Sequence, residues 1–87
     1  MIYKFEPGQI VITTNAQNTL DNEDVFIALG RHLKCDWGEV AEKDMNDAAV
    51  NNGDRIFSAY RDRNGKKFWI ITEANRSATT VLLPEDY

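Results

Sequence analysis

Chemistry-bearing residues are scarce in this chain of 87 residues, which has one cysteine, Cys35, and one histidine, His32. A lone cysteine excludes an internal disulfide. A zinc site needs three or four ligands, and His32 with Cys35, three positions apart, supplies half of one, so no metal is expected. A Cys-His nucleophilic pair would also need a third, orienting group; only Asp36 is near, and Cys35 reads better as a small, half-buried apolar residue. Glycine is sparse and sits at turn, cap or helix positions, and no phosphate loop, Walker sequence or serine elbow is present. No apolar run approaches the roughly 18 to 20 residues of a membrane span. The opening Met1-Ile2-Tyr3-Lys4-Phe5-Glu6-Pro7 lacks a basic and then apolar secretory pattern, so a cytoplasmic protein without membrane contact is expected. The expectation is of no enzyme, no catalytic residue and no cofactor.

What is present is an ordinary globular composition, 43% apolar and 28% charged, in a length that suits a single domain over residues 1–87. The net charge of -4 is unevenly spread. Asp36, Glu39, Glu42, Asp44, Asp47 and Asp54 face only Lys43 in one stretch, whereas Arg55, Arg61, Arg63, Lys66 and Lys67 face only Asp62 in the next. An acidic face and a basic hairpin tip follow.

Gln9-Ile10-Val11-Ile12-Thr13-Thr14 is β-branched and follows Pro7-Gly8, which predicts a first strand, buried on both faces or central in its sheet. Asn15 to Thr19 reads as a polar connection. A helix is predicted over about Asn22 to Lys34: Asp21 caps it, acid fills its first turn, and Arg31, His32 and Lys34 complement the dipole in its last. Leu20 and Val25 fit a hydrophobic staple, and Val25, Phe26, Leu29 and Leu33 form a stripe at helical spacing. Asp36-Trp37-Gly38-Glu39 has capping-box spacing and predicts a short helical turn. A further helix starts near Asp44, carries Met45, Ala48 and Ala49 on one side, and ends at Gly53.

The last third is β. Arg55 to Tyr60 and Lys67 to Glu73 flank Asn64-Gly65, a strong hairpin signal, and Thr79 to Leu83 follows. Glu73 and Arg76 can pair across the turn between the last two strands. The fold class is therefore α+β: a four-stranded, mostly antiparallel sheet in the order β-α-α-β-β-β, packed against helices. A two-residue turn at Asn64-Gly65 would pair Tyr60 with Trp69 and put Ile56, Ser58, Tyr60, Trp69 and Ile71 on one face. Exposed Trp and Tyr mark partner surfaces.

The residues His32, Asp36-Trp37-Gly38, Arg55, Ser58-Ala59-Tyr60, Thr72-Glu73-Ala74, Arg76-Ser77, Thr79-Thr80 and Leu82-Leu83-Pro84-Glu85-Asp86-Tyr87 carry a resemblance that spans about Gly8 to Tyr87. They resemble a family of small proteins of bacterial plasmids, phages and integrated elements, some of them labelled as related to type I restriction systems. The resemblance implies an accessory protein of a mobile element and glycine at the position of Cys35. It carries over no catalytic residue.

The functional expectation is a non-enzymatic protein that binds a host or element protein and modulates a defence system such as restriction or CRISPR. Its contact residues would be Tyr60, Trp69, Ile71, Trp37, Asp36 and Glu39, with the acidic stretch offering charge complementarity. The alternative is a nucleic-acid-associated regulator that uses Arg61, Arg63, Lys66 and Lys67, against which the acidic net charge counts. The oligomeric state is not legible at this level.

Overall fold

The computed structural model describes residues 3–41 and 43–87; Glu42 of the acidic stretch and the opening Met1-Ile2 lie outside the described residues. The protein is α+β. In chain order it has strand β1 (Gln9–Ile12), helices α1 (Thr14–Thr19), α2 (Asn22–Leu33) and α3 (Lys43–Asn52), strands β2 (Ile56–Arg61), β3 (Lys67–Thr72) and β4 (Ala78–Leu82), and a 3-10 turn over Pro84–Asp86. The sheet order is β1-β4-β3-β2, with β1 parallel to β4 and the other pairs antiparallel. The sheet is thus mixed, and β1 is an edge strand rather than a central one, with Ile10 and Val11 47% and 40% exposed. Its apolar run does not signal two-sided burial.

Local chemistry set α2 as expected. The Asp21 carboxylate accepts from the Asp24 N–H at 3.1 Å, and Leu20 and Val25 are both buried in the main core. The predicted stripe is correct at Val25, Leu29 and Leu33, but Phe26 is 74% exposed. Thr14, read as the end of the first strand, and Asn15 to Thr19, read as a connection, form α1 because the Thr13 hydroxyl caps it by accepting from the Ala16 N–H, and Ala16 is buried. In α3 the buried residues are Asn46 and Ala49, so of the expected side Met45, Ala48 and Ala49 only Ala49 is packed, while Ala48 is exposed and Met45 is 66% exposed. Gly53 ends the helix at φ 75°.

The hairpin departs from its expected register by one residue. The Asp62 carboxylate accepts from the N–H groups of Asn64 and Lys66, and Gly65 takes φ 80°. This makes a three-residue loop, a type I turn followed by a left-handed glycine, instead of a two-residue turn. Tyr60 therefore opposes Phe68, and Trp69 opposes Ala59. Since side chains alternate along a strand, Tyr60 and Trp69 point to opposite faces of the sheet. Tyr60, Phe68, Ile70 and Val81 pack with Ala16 of α1, Leu20 between the helices, and Val25 and Ala28 of α2 in the main core.

The outer edge of β2 is closed by side chain and loop. The Asn46 amide donates to the Phe57 carbonyl and its oxygen accepts from the Phe57 N–H. The Ala59 N–H donates to the Trp37 carbonyl at 3.2 Å, and the Glu39 N–H donates to the Ala59 carbonyl at 2.7 Å. Residues 36–39 are therefore an extended strap along β2, not a helical turn. Gly38 is required in it, at φ 70°, because a β-carbon there would lie 2.1 Å from the Ala59 oxygen. The strap brings Trp37 against Ala49, Ile56 and Phe5 in a second core.

Candidate functional site

Most residues of the resemblance turn out to hold the fold together. His32 is fully buried: Nδ1 meets the Ser58 hydroxyl, and Nε2 lies 2.8 Å from Thr72 Oγ1. Thr72 Oγ1 lies 2.7 Å from Thr79 Oγ1, which donates to the Pro7 carbonyl at 2.7 Å. Burial pushes the imidazole down to about 3, so it is neutral and does not serve the helix dipole as the sequence suggested. Both ring nitrogens are engaged, which leaves neither for a metal, and burial, with Asp47 adding to it, pushes the Cys35 thiol up. Among the described residues no group of three or more His, Cys, Asp or Glu side chains could hold a metal ion.

Three residues expected at a partner surface are interior. Tyr60 and Trp37 are each 2% exposed, as is Ile71. The Tyr60 hydroxyl donates to the Asp36 carbonyl at 2.6 Å, its ring lies beneath the Arg31 guanidinium at 4.8 Å, and burial pushes the phenol up to about 12. Trp37 donates to the Asp47 carboxylate at 2.9 Å. Asp36 and Glu39 are exposed, but each is ion-paired. Asp36 lies 2.8 Å from Arg31, whose hydrogen bonds hold its carboxyl below the usual range, and Glu39 lies 3.1 Å from Arg61.

The basic tip is similarly committed. Arg63 reaches Asp21, Glu23 and Asp24, at 3.3, 2.7 and 3.0 Å, and its hydrogen bonds hold the Asp24 carboxyl low. Lys66 lies 3.4 Å from Glu85. Lys67 is exposed on β3. The expected side-chain pair of Glu73 and Arg76 does not form: Glu73 takes Arg55 at 3.5 Å, while Arg76 donates to the carbonyls of Ala49, Asp54, Glu73 and Ala74.

Trp69 survives as a candidate, in company the sequence did not suggest. On the sheet face turned away from α1 and α2 its ring lies 4.9 Å from Phe57 and 5.7 Å from Tyr87. The Arg55 guanidinium lies 5.3 Å over the Tyr87 ring and donates to its hydroxyl at 2.8 Å. Tyr87 is held there from the far end of the chain. Asp86 accepts from the Thr13 hydroxyl, the Asn15 amide and the Leu83 N–H, which fixes the terminal turn and keeps the Asp86 carboxyl low. Phe57 and Trp69 are half-buried and Tyr87 is 69% exposed. The correct register would have joined Phe57 to Trp69 in sequence; nothing local links either to Tyr87.

A scan against protein-family models finds no matching family, and neither the curated proteins nor the solved structures give a match. Among the described residues, no helix is long and apolar enough to cross a membrane.

Proposed function

We propose that this chain is a non-enzymatic binding module of a mobile element, and that it docks a host or element protein on the sheet face built around Trp69. The observation that carries the reading is the aromatic cluster of Phe57, Trp69 and Tyr87, edged by Arg55, on a face that α1 and α2 do not cover. Trp, Tyr and Arg are the residue types that dominate binding hot spots, since they bury large area while keeping a polar handle. The resemblance to mobile-element proteins makes a component of a host defence system, restriction or CRISPR, the partner class to test first.

An aromatic platform also suits base stacking. That reading is weaker because Arg61, Arg63 and Lys66 already face carboxylates and the chain carries a net charge of -4. It predicts binding to single strands at low salt that falls steeply as salt rises.

The test is site-specific photo-crosslinking in host lysate, with and without nuclease, from position 69 or 87 and from Asn18 on α1 as control. A nuclease-resistant protein adduct from 69 and 87 alone is expected. Tyr87→Ser, which leaves the strands untouched, should weaken capture at least about tenfold if Tyr87 is a hot spot. Equal adducts from Asn18, or capture unchanged in both Tyr87→Ser and a folded Trp69→Ala, would remove this face from the account.

A further inference from the structure

The sheet face around Trp69 offers a ligand side chains only. The main-chain groups beneath it are paired strand to strand or, at Phe57 and Ala59, with Asn46 and the 37–39 strap. A ligand lying on this face gains no strand pairing from it, so the side chains select the occupant. They have donors to spare. The Trp69 indole N–H finds no acceptor among the described residues, and since no buried side-chain nitrogen there lacks a partner, it reaches the surface. The Tyr87 hydroxyl accepts from Arg55 at 2.8 Å and keeps its own proton to give. The neighbouring Glu73 carboxylate is taken by Arg55 at 3.5 Å.

Flat apolar surface and one uncommitted charge complete the face. Trp69 is inclined at 58° to Phe57 and at 75° to Tyr87, so no face-to-face stack hides the rings from a ligand. Phe57 and Arg55 also line a groove of about 600 Å³ with Val40 and Met45, which carries apolar surface on toward α3. Lys67 precedes Trp69 by two positions on β3 and so shares its face. It is exposed and has no ion pair among the described residues, whereas Arg61 opposite it is held by Glu39.

We infer, on the reading that Trp69 centres a docking face, that the partner presents a proline-rich segment in the polyproline II conformation with an acidic residue beside it. A helix spends its carbonyls on its own N–H groups. A polyproline II segment has no internal hydrogen bonds and leaves every carbonyl free to accept. Proline brings no N–H that would need an acceptor, and aromatic-lined grooves are the surfaces that take such segments. Trp69 and Tyr87 supply the two donors, and Lys67 supplies the charge that the acidic residue meets. From Trp69 to Lys67 the strand rises about 7 Å, a little over two residues of polyproline II at about 3.1 Å each. The acidic residue therefore stands two or three positions from the proline seated on Trp69.

Selection of a displayed library of random short peptides on the folded protein, followed by heteronuclear NMR with the selected peptide, tests this. Proline-rich sequences with an acidic residue at that spacing should be enriched. On titration the Trp69 indole N–H resonance should move as it gains an acceptor, while that of Trp37, already bound to Asp47, should stay. Tyr87→Phe, which keeps the ring and removes the donor, should weaken the peptide about fivefold. Lys67→Glu should weaken it by a similar factor, and a peptide with lysine in place of its acid should restore binding. Enriched peptides without proline, a stationary Trp69 resonance, or an affinity untouched by both variants overturns the inference. The selected peptide should also compete with the lysate adduct formed from positions 69 and 87. An adduct there to a partner without a proline-rich segment overturns this inference and leaves the docking face standing. Peptide binding as expected, with no adduct from either position, removes the proposed cellular partner and leaves the ligand chemistry standing.

Discussion

The ring of His32 stands 2.8 Å from Thr72 Oγ1, and the hydroxyls beyond Thr72 decide which ring nitrogen carries the proton. Thr79 donates to the Pro7 carbonyl, so toward Thr72 it can only accept. Thr72 therefore gives its proton to Thr79 and accepts from His32 Nε2–H. His32 Nδ1 is left as the acceptor for the Ser58 hydroxyl. One neutral tautomer satisfies every group in the chain of bonds, and strands β2, β3 and β4 are tied to α2 and the N-terminal segment through it.

This makes stability pH-dependent in a definite window. The folded-state pKa of His32 is about 3, below the ordinary 6.5, so under pH 6.5 the unfolded chain takes a proton that the folded chain refuses. The contribution is complete above pH 6.5 and is lost as pH falls toward 3, at about 1.4 kcal/mol per pH unit. Between pH 6.5 and 5 the loss should be about 2 kcal/mol, read from urea unfolding midpoints. Asp24, Asp36 and Asp86, all held low, add losses that set in only near about pH 4. Stability that stays flat from pH 6.5 to 5 would contradict a buried neutral His32.

Thr72→Val keeps the shape but removes both hydroxyl contacts, leaving the His32 Nε2–H buried without an acceptor. The expected cost is about 2 to 3 kcal/mol by chemical denaturation. A cost under about 0.5 kcal/mol would mean that the ring finds another partner.

Gly38→Ala should destabilise by more than about 2 kcal/mol, because the added methyl collides with the Ala59 carbonyl and the Tyr60 ring and lifts the strap off β2. Gly30→Ala should act oppositely. It lies inside α2 with open space around it, so helix propensity alone should raise stability by about 1 kcal/mol. Thermal melts of the two variants moving in the same direction would refute this contrast.

Asn46→Ala uncovers the N–H and C=O of Phe57. A loss of about 2 kcal/mol and faster exchange of the Phe57 amide are expected, with the Ile70 amide in the sheet interior little changed except through global opening. A protected Phe57 amide in this variant would show that the edge is closed by something other than Asn46.

Cys35 sits at φ 68°, a conformation that suits glycine, and the family resemblance implies glycine there. Cys35→Gly should change stability by no more than about 1 kcal/mol, relief of strain offsetting lost packing, whereas Cys35→Val should cost clearly more. Equal melting temperatures for the two variants would argue that the backbone is not strained at this position.

The α+β class, helix α2 with its Asp21 cap and Leu20 staple, the hairpin and the Gly53 stop were all determined by the sequence itself, because each depends on residues within one or two turns of chain. The tertiary structure decided what depends on distant partners. Asp62 shifted the hairpin by one residue, and with the side-chain period of two that shift parted Tyr60 from Trp69. Burial turned His32 from a charged helix end into a neutral core group, and parallel pairing with β4 set β1 at an edge. The cluster of Trp69 with Phe57 and Tyr87 exists only because Asp86 is fastened to Thr13, a bond that closes 73 residues of separation and leaves no local trace in the sequence.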